Sequence, residues 1–190
     1  MPIRKWDKEL DYKEWERRLR NDLKLYRDKV RKTGQKRYLT RFTYTAVLLV
    51  QLINGTRCIE AVKAVMYFVE TGEREYKVKA AKGGERRVIF IPPHITYDDI
   101  GLLRMSLSNR TVKDVNRSVR VYAVRFLKIN THSLRYAAIT YFSDVYHLPD
   151  QIVAKITGHT KTKYIRDYIQ SRTAKDILRE HVFGGRHVKK

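Results

Sequence analysis

The sequence predicts a mainly α-helical fold with one small β-hairpin, an α+β domain, and three observations carry that prediction. Apolar residues recur at spacings of three and four along most of the chain, the period of an amphipathic helix. Strict alternation is confined to two short runs, Tyr76, Val78 and Ala80, then Val88 and Phe90. Between them lies Lys82-Gly83-Gly84-Glu85, which supplies turn chemistry. With 190 residues the chain is long enough for one domain with a sizeable core.

Trp15, Leu19, Leu23, Tyr26 and Val30 are spaced by four, four, three and four, which predicts a helix over 12–32 whose other face is basic. The stretch from Lys32 to Lys36 breaks that pattern and reads as a linker or tight loop. From Leu39, the positions Phe42, Ala46, Leu49, Val50 and Ile53 keep helical period. Val47 and Leu48 make this helix apolar nearly all round, so it belongs in the middle of the core. Asn54 and Gly55 stop it, and Ile59, Val62, Met66 and Val69 mark a second core helix. The hairpin follows and ends at Pro92-Pro93. Helical period then returns in two stripes, one through Val112, Val115, Val119, Tyr122 and Phe126, the other through Leu134, Ala138, Tyr141 and Val145. Short helices are expected around 149–157, 161–170 and 173–183. The chain divides into a basic amphipathic N-terminal helix and linker, 1–37, and a main domain with a C-terminal helical tail, 38–190.

Lys and Arg number 41 against 20 Asp and Glu, a formal net charge of +21. So positive a surface field favours a polyanion, with nucleic acid the leading partner class. No apolar run approaches the roughly 18–20 residues that span a bilayer, so a membrane is not expected. The start, Met1 to Leu10, is charged and does not read as a signal peptide. Cys58 is the single cysteine, which excludes an intrachain disulfide and makes the cytoplasm the simplest location.

Five short patterns carry candidate chemistry. Arg57, in Gly55-Thr56-Arg57-Cys58-Ile59-Glu60, stands at a helix start where its planar guanidinium suits phosphate oxygens. A surface arginine salt-bridged to Glu60 would look the same. Lys82 at the hairpin tip can reach a phosphate or donate a proton, or be an ordinary solvent-exposed turn lysine. His132 and Arg135 are three apart and share a helix face opposite an apolar stripe, whether as anion ligands or as a capping histidine with a surface arginine. His159 follows Gly158 just past a helix C-terminus. Tyr164 and Tyr168 are four apart and share a face, which also suits plain packing.

In their order and spacing these patterns resemble the tyrosine recombinase, or phage-type integrase, family. That family is recognised by an arginine in a Gly-x-Arg-x-x-Glu turn, a lysine on a β-hairpin, a His-x-x-Arg box, a Gly-His pair and a tyrosine nine residues after that histidine. Arg57, Lys82, His132, Arg135, His159 and Tyr168 occupy those places in sequence. The likeness covers about residues 38–175 and departs from the family at Tyr136, where a second histidine is common, at Ile139, and in a glycine-free loop from Asp144 to Pro149.

The resemblance implies a recombinase catalytic core that breaks and rejoins double-stranded DNA, as in integration by a mobile genetic element. It implies that Tyr168 attacks the scissile phosphate and forms a 3'-phosphotyrosyl intermediate, releasing a 5'-hydroxyl. By the same resemblance Arg57 and Arg135 bracket the non-bridging oxygens, His159 adds a donor, and Lys82 protonates the leaving oxygen. A tyrosine hydroxyl titrates near pH ~10, so His132 is the candidate to help remove its proton. Tyr164 is the competing nucleophile. No metal, nucleotide or other cofactor is expected, and the histidines form no HExxH arrangement. Self-assembly on DNA, as a dimer or tetramer, is expected. Family members usually carry a larger amino-terminal clamp domain; the initial Met1 favours a naturally compact protein over an excised fragment. The alternative reading is a DNA-binding module that keeps the fold without cutting.

Overall fold

The computed structural model describes residues 10–79, 86–145, 147–159 and 162. The order of elements is α1 (Tyr12–Thr33), α2 (Lys36–Asn54), α3 (Cys58–Thr71), β1 (Glu75–Lys79), β2 (Arg86–Phe90), a 3-10 turn (Tyr97–Asp99), α4 (Ile100–Leu107), α5 (Val112–Tyr122), a π turn (Ala123–Leu127), α6 (Thr131–Asp144) and α7 (Asp150–Thr157). The described residues are mostly helical with one two-stranded antiparallel sheet, as the sequence predicts. No single helix among them is long and apolar enough to cross a membrane.

The apolar helix is the axis of the core. Phe42 and the run from Ala46 to Val50 in α2 are fully buried, with α1, α3, α4, α5 and α6 packed around them. Trp15, Leu19, Leu23 and Val30 of α1 enter the same apolar cluster, and Tyr12 stacks on Tyr141 of α6 with ring centroids 4.1 Å apart. The link from α1 to α2 is two residues: Gly34 closes α1 in the left-handed conformation (φ 62°) and Gln35 is the N-cap of α2. A buried ion pair fixes α1 laterally, because Arg27 donates to both carboxylate oxygens of Asp99 at 2.7 Å and to the His94 carbonyl at 2.6 Å.

The hairpin is held to the end of α2 by one side chain. Asn54 accepts the Phe90 N–H on its carbonyl oxygen and donates to the Phe90 C=O, each at 2.9 Å, so β2 is bonded through both backbone groups of one residue. The register pairs Val78 with Arg87 and Tyr76 with Ile89, which puts these four on the same side of the sheet. Arg87, Ile89 and Val78 are buried there, and Phe90 on the outer side is 55% exposed. The alternation of Val88 and Phe90 therefore marks the strand correctly but lies on its outward phase.

Two helical stripes differ from expectation. The stripe from Val112 ends at Tyr122, because the π turn adds a residue to the helical repeat and rotates the residues after it; Leu127 takes the buried position and Phe126 is 49% exposed. In α6 the apolar residues do not define one face. Packed between α1, α2 and α7, this helix is buried at every position from Ser133 to Thr140, with small residues such as Ser133, Ala137 and Ala138 allowing the approach. Arg135 thus lies in the interior and not on a polar face opposite a stripe, and Val145 is exposed. Of the short C-terminal helices, α7 matches 149–157; those expected over 161–170 and 173–183 lie outside the described residues.

Candidate functional site

Two helix ends and one helix converge: α2 closes at Gly55, α7 closes at Gly158, and α6 passes between them with Arg135. Gly55 closes α2 with φ 57°, and a side chain at this position would meet Thr157 Cγ2 at 3.0 Å and Phe142 at 3.3 Å. Only a residue tolerant of the left-handed region and lacking a Cβ lets these elements come so close. Arg57, two residues on, is the N-cap of α3, and the Glu60 side chain accepts its backbone N–H at 2.7 Å. Glu60 also receives Arg57 Nη1 at 3.4 Å, so the ion pair read from the sequence is present. The Arg57 side chain is nevertheless 34% exposed, which leaves its guanidinium facing solvent as well as Glu60.

Arg135 is 1% exposed. Its Nη1 donates to the Gly55 carbonyl at 3.1 Å, and its Nη2 lies 3.0 Å from His159 Nε2 and 3.3 Å from Nδ1. The helix end before His159 explains the ring's placement. Gly158 takes φ 71°, its N–H and that of His159 both return to the Ala154 carbonyl, and α7 closes in a Schellman-type cap.

The His159 tautomer follows from its neighbour. Thr157 gives its hydroxyl proton to the Val153 carbonyl at 2.6 Å, so its oxygen can only accept from His159 Nδ1 at 2.7 Å. Nδ1 then carries the proton, and Nε2 presents a lone pair to Arg135. Burial, followed by the positive charges of Arg135, Arg57, Arg87 and His132, pushes the His159 pKa from 6.5 down to about 3. The ring is neutral at physiological pH. His132, one turn before Arg135, is half-buried and meets Tyr136 edge-on at 4.9 Å.

The sequence reading missed Arg87. Its side chain is 3% exposed, ion-paired to Glu60 Oε2, and donates from Nη1 to the Ile156 carbonyl at 3.3 Å. Burial lowers its pKa, with Glu60 opposing that shift. The available signal was its phase, since Arg87 alternates in step with Ile89 and Ile91, the buried positions of this segment. Among the described residues, Arg57 and Arg87 flank the Glu60 carboxylate and Arg135 bonds the His159 ring, so the neutral imidazole lies in the positive field of three guanidinium groups. Lys82, Tyr164 and Tyr168 lie outside the described residues.

A basic cleft of about 420 Å³ is lined by Arg117, Arg120 and Arg125 together with Asn130 and Thr131, the start of the helix that carries His132. Cys58, beside Arg57, contributes no nucleophile. Burial pushes its thiol up to about 12, so it stays protonated.

The chain is 39% identical over 143 residues to a protein of Acidianus two-tailed virus named "Putative integrase ORF241". That alignment takes in 72% of this chain and 55% of the viral protein. An uncharacterized protein of the archaeon Methanocaldococcus jannaschii is 30% identical over an alignment of 203 positions, gaps included, that takes in 92% of this chain and 87% of the archaeal one. The chain belongs to the family of that archaeal protein. It spans little more than half, 55%, of the length of the viral relative, with which it shares the higher identity. No family model matches the sequence, and no solved structure matches it.

Proposed function

We propose that this protein is a tyrosine recombinase catalytic domain, a site-specific integrase that cleaves and rejoins double-stranded DNA through a 3'-phosphotyrosyl intermediate. One observation carries the reading: Arg135 bonds both the Gly55 carbonyl, two residues before Arg57, and the ring of His159, so residues remote in sequence are gathered in one cationic cluster. The kinship with a viral protein named as an integrase supports the same class of activity.

In this reading the Tyr168 oxygen attacks phosphorus in line and the 5'-oxygen leaves with a proton from Lys82. Phosphoryl displacement needs positioning and charge stabilisation above all. Arg57 and Arg135 provide the stabilisation as bidentate donors to the non-bridging oxygens. With Nδ1–H committed to Thr157, His159 orients the Arg135 guanidinium through Nε2 and becomes a donor itself only by taking up a proton when the anion enters. His132 receives the tyrosine proton. Rejoining reverses the sequence with another 5'-hydroxyl, so the bond energy is conserved and the reading requires neither metal nor nucleotide. Duplex DNA in the cytoplasm is the substrate, and self-assembly as a dimer or tetramer takes place on it.

A nicked suicide duplex, whose cleaved fragment diffuses away, tests this. The expected result is protein covalently joined to a DNA 3' end, retained in Tyr164→Phe and lost in Tyr168→Phe. An adduct that persists in Tyr168→Phe removes that residue as nucleophile. DNA binding with no adduct on any flanking sequence of the gene replaces the enzyme with the non-cutting DNA-binding module.

A further inference from the structure

We propose that Arg87 is a positioning residue that joins the Arg57 turn and the His159 turn into one rigid unit. The inference rests on the strand-cleavage reading for its activity arm, and on geometry alone for its structural arm.

The bonds of Arg87 run to both turns. On one side its guanidinium pairs with Glu60 Oε2, the same oxygen that accepts the Arg57 backbone N–H at 2.7 Å. The other oxygen of that carboxylate takes Arg57 Nη1. Glu60 is thereby held between two arginines, and its position fixes both the backbone and the side chain of Arg57. On the other side Arg87 Nη1 donates to the Ile156 carbonyl, in the last turn of α7, where a cation also complements the negative end of the helix. The same guanidinium presses on Gly158: a Cβ there would lie 2.9 Å from Arg87 Nε and 3.1 Å from Cζ. Gly158 is the residue that turns the chain into His159.

Arg87 is charge-paired with the buried Glu60 carboxylate, and its role follows from the two turns that it joins. What it can do is hold distances. A planar fork with two partners in different directions resists shear between α3 and α7 better than a single point charge would. Reacting groups displaced by about 1 Å can lose on the order of 100-fold in rate, which is the scale of effect such a brace controls.

The experiment compares wild type, Arg87→Lys and Arg87→Met in the full chain. The activity arm measures single-turnover adduct formation on a suicide duplex alongside equilibrium DNA binding. The structural arm follows the His159 ring nitrogens by NMR between pH 3 and 7, where, among the described residues, Arg135, Arg57, Arg87 and His132 are charges that face it. Expected are adduct formation slowed about 100-fold in Arg87→Met with DNA affinity retained, partial rescue in Arg87→Lys, and a His159 ring that loses its single Nδ1–H signature. Unchanged His159 spectra and unchanged adduct rates in both variants overturn the proposal. So does a loss of rate that parallels loss of folded protein and DNA affinity in both variants. Should wild type itself form no adduct, the cleavage reading fails, and the His159 spectra still decide whether Arg87 braces the two turns.

Discussion

Thr157 fixes the proton of His159: its hydroxyl donates to the Val153 carbonyl at 2.6 Å and accepts from His159 Nδ1 at 2.7 Å. The neutral Nδ1–H ring that results has a folded-state pKa of about 3, below its ordinary 6.5. Between those values the unfolded chain binds a proton that the folded one does not, so stability is retained above pH 6.5 and lost as the pH falls towards 3. The slope is at most about 1.4 kcal/mol per pH unit, reduced by solvent screening at this half-buried ring. Urea titrations across the acid range measure it. In Thr157→Val the ring loses its Nδ1 acceptor, and NMR should find both neutral tautomers.

Removing the Arg135 guanidinium strips the Gly55 carbonyl and His159 of a donor in the interior. Arg135→Ala should lose about 1–3 kcal/mol for the unsatisfied carbonyl alone. It should also abolish adduct formation. Arg135→Lys keeps the charge but not the fork, and is expected to recover stability more than cleavage. Denaturant midpoints and adduct yields on the same samples separate the two effects.

Much of this was legible from residue spacing, and the failures have specific causes. The helices over 12–32 and from Leu39 to Asn54, and the two strands, are written in local periodicity, which depends only on neighbours along the chain. Arg87 is not legible that way. Its charge argues for the surface, and only Glu60 and the α7 carbonyl end, 27 and 69 residues away, make burial favourable. The same holds for Arg135, whose interior position depends on α1, α2 and α7 enclosing α6. Phe126 was misplaced because a π turn leaves no mark in an apolar stripe. Of the candidate site, the likeness in spacing brought forward Arg57, Arg135 and His159, which the fold gathers; the brace between them is a tertiary fact.

Glu60 stands between two guanidinium groups, and its side chain is almost wholly buried. Glu60→Gln keeps the shape and deletes the charge, leaving Arg87 buried without its counter-ion. A loss of about 3–5 kcal/mol is expected, as for breaking one half of a buried pair. The double change Glu60→Leu with Arg87→Met removes both charges and should recover much of it. Urea melts of the three proteins test this, and equal stability of Glu60→Gln and wild type would contradict a buried ion pair here.

With +21 formal charges and a basic cleft at the start of α6, DNA binding should weaken steeply with salt. Each phosphate neutralised contributes about 0.9 to the slope of log K against log salt on duplex DNA. Arg120→Ala, in the cleft and close enough to act on Cys58, is expected to lower that slope by about 1 without altering the fold. Fluorescence anisotropy over a salt series reads it directly. A slope unchanged in Arg120→Ala places the duplex on another face.

Gly158 and Gly34 both adopt the left-handed conformation, at φ 71° and 62°, yet their surroundings differ. A Cβ on residue 34 meets nothing within 4 Å, whereas one on residue 158 lies 2.9 Å from Arg87 Nε. Gly34→Ala therefore incurs only the conformational cost, about 1–2 kcal/mol. Gly158→Ala carries that cost and must also displace the Arg87 guanidinium from between Glu60 and the Ile156 carbonyl, which adds about 1–3 kcal/mol of overpacking. The difference between the two variants, measured by chemical denaturation, isolates the contact. Because the displaced group also steadies the turn into His159, Gly158→Ala should slow adduct formation while Gly34→Ala leaves it unchanged. Equal effects of the two substitutions on both stability and cleavage would mean that the approach of Arg87 to Gly158 imposes no constraint.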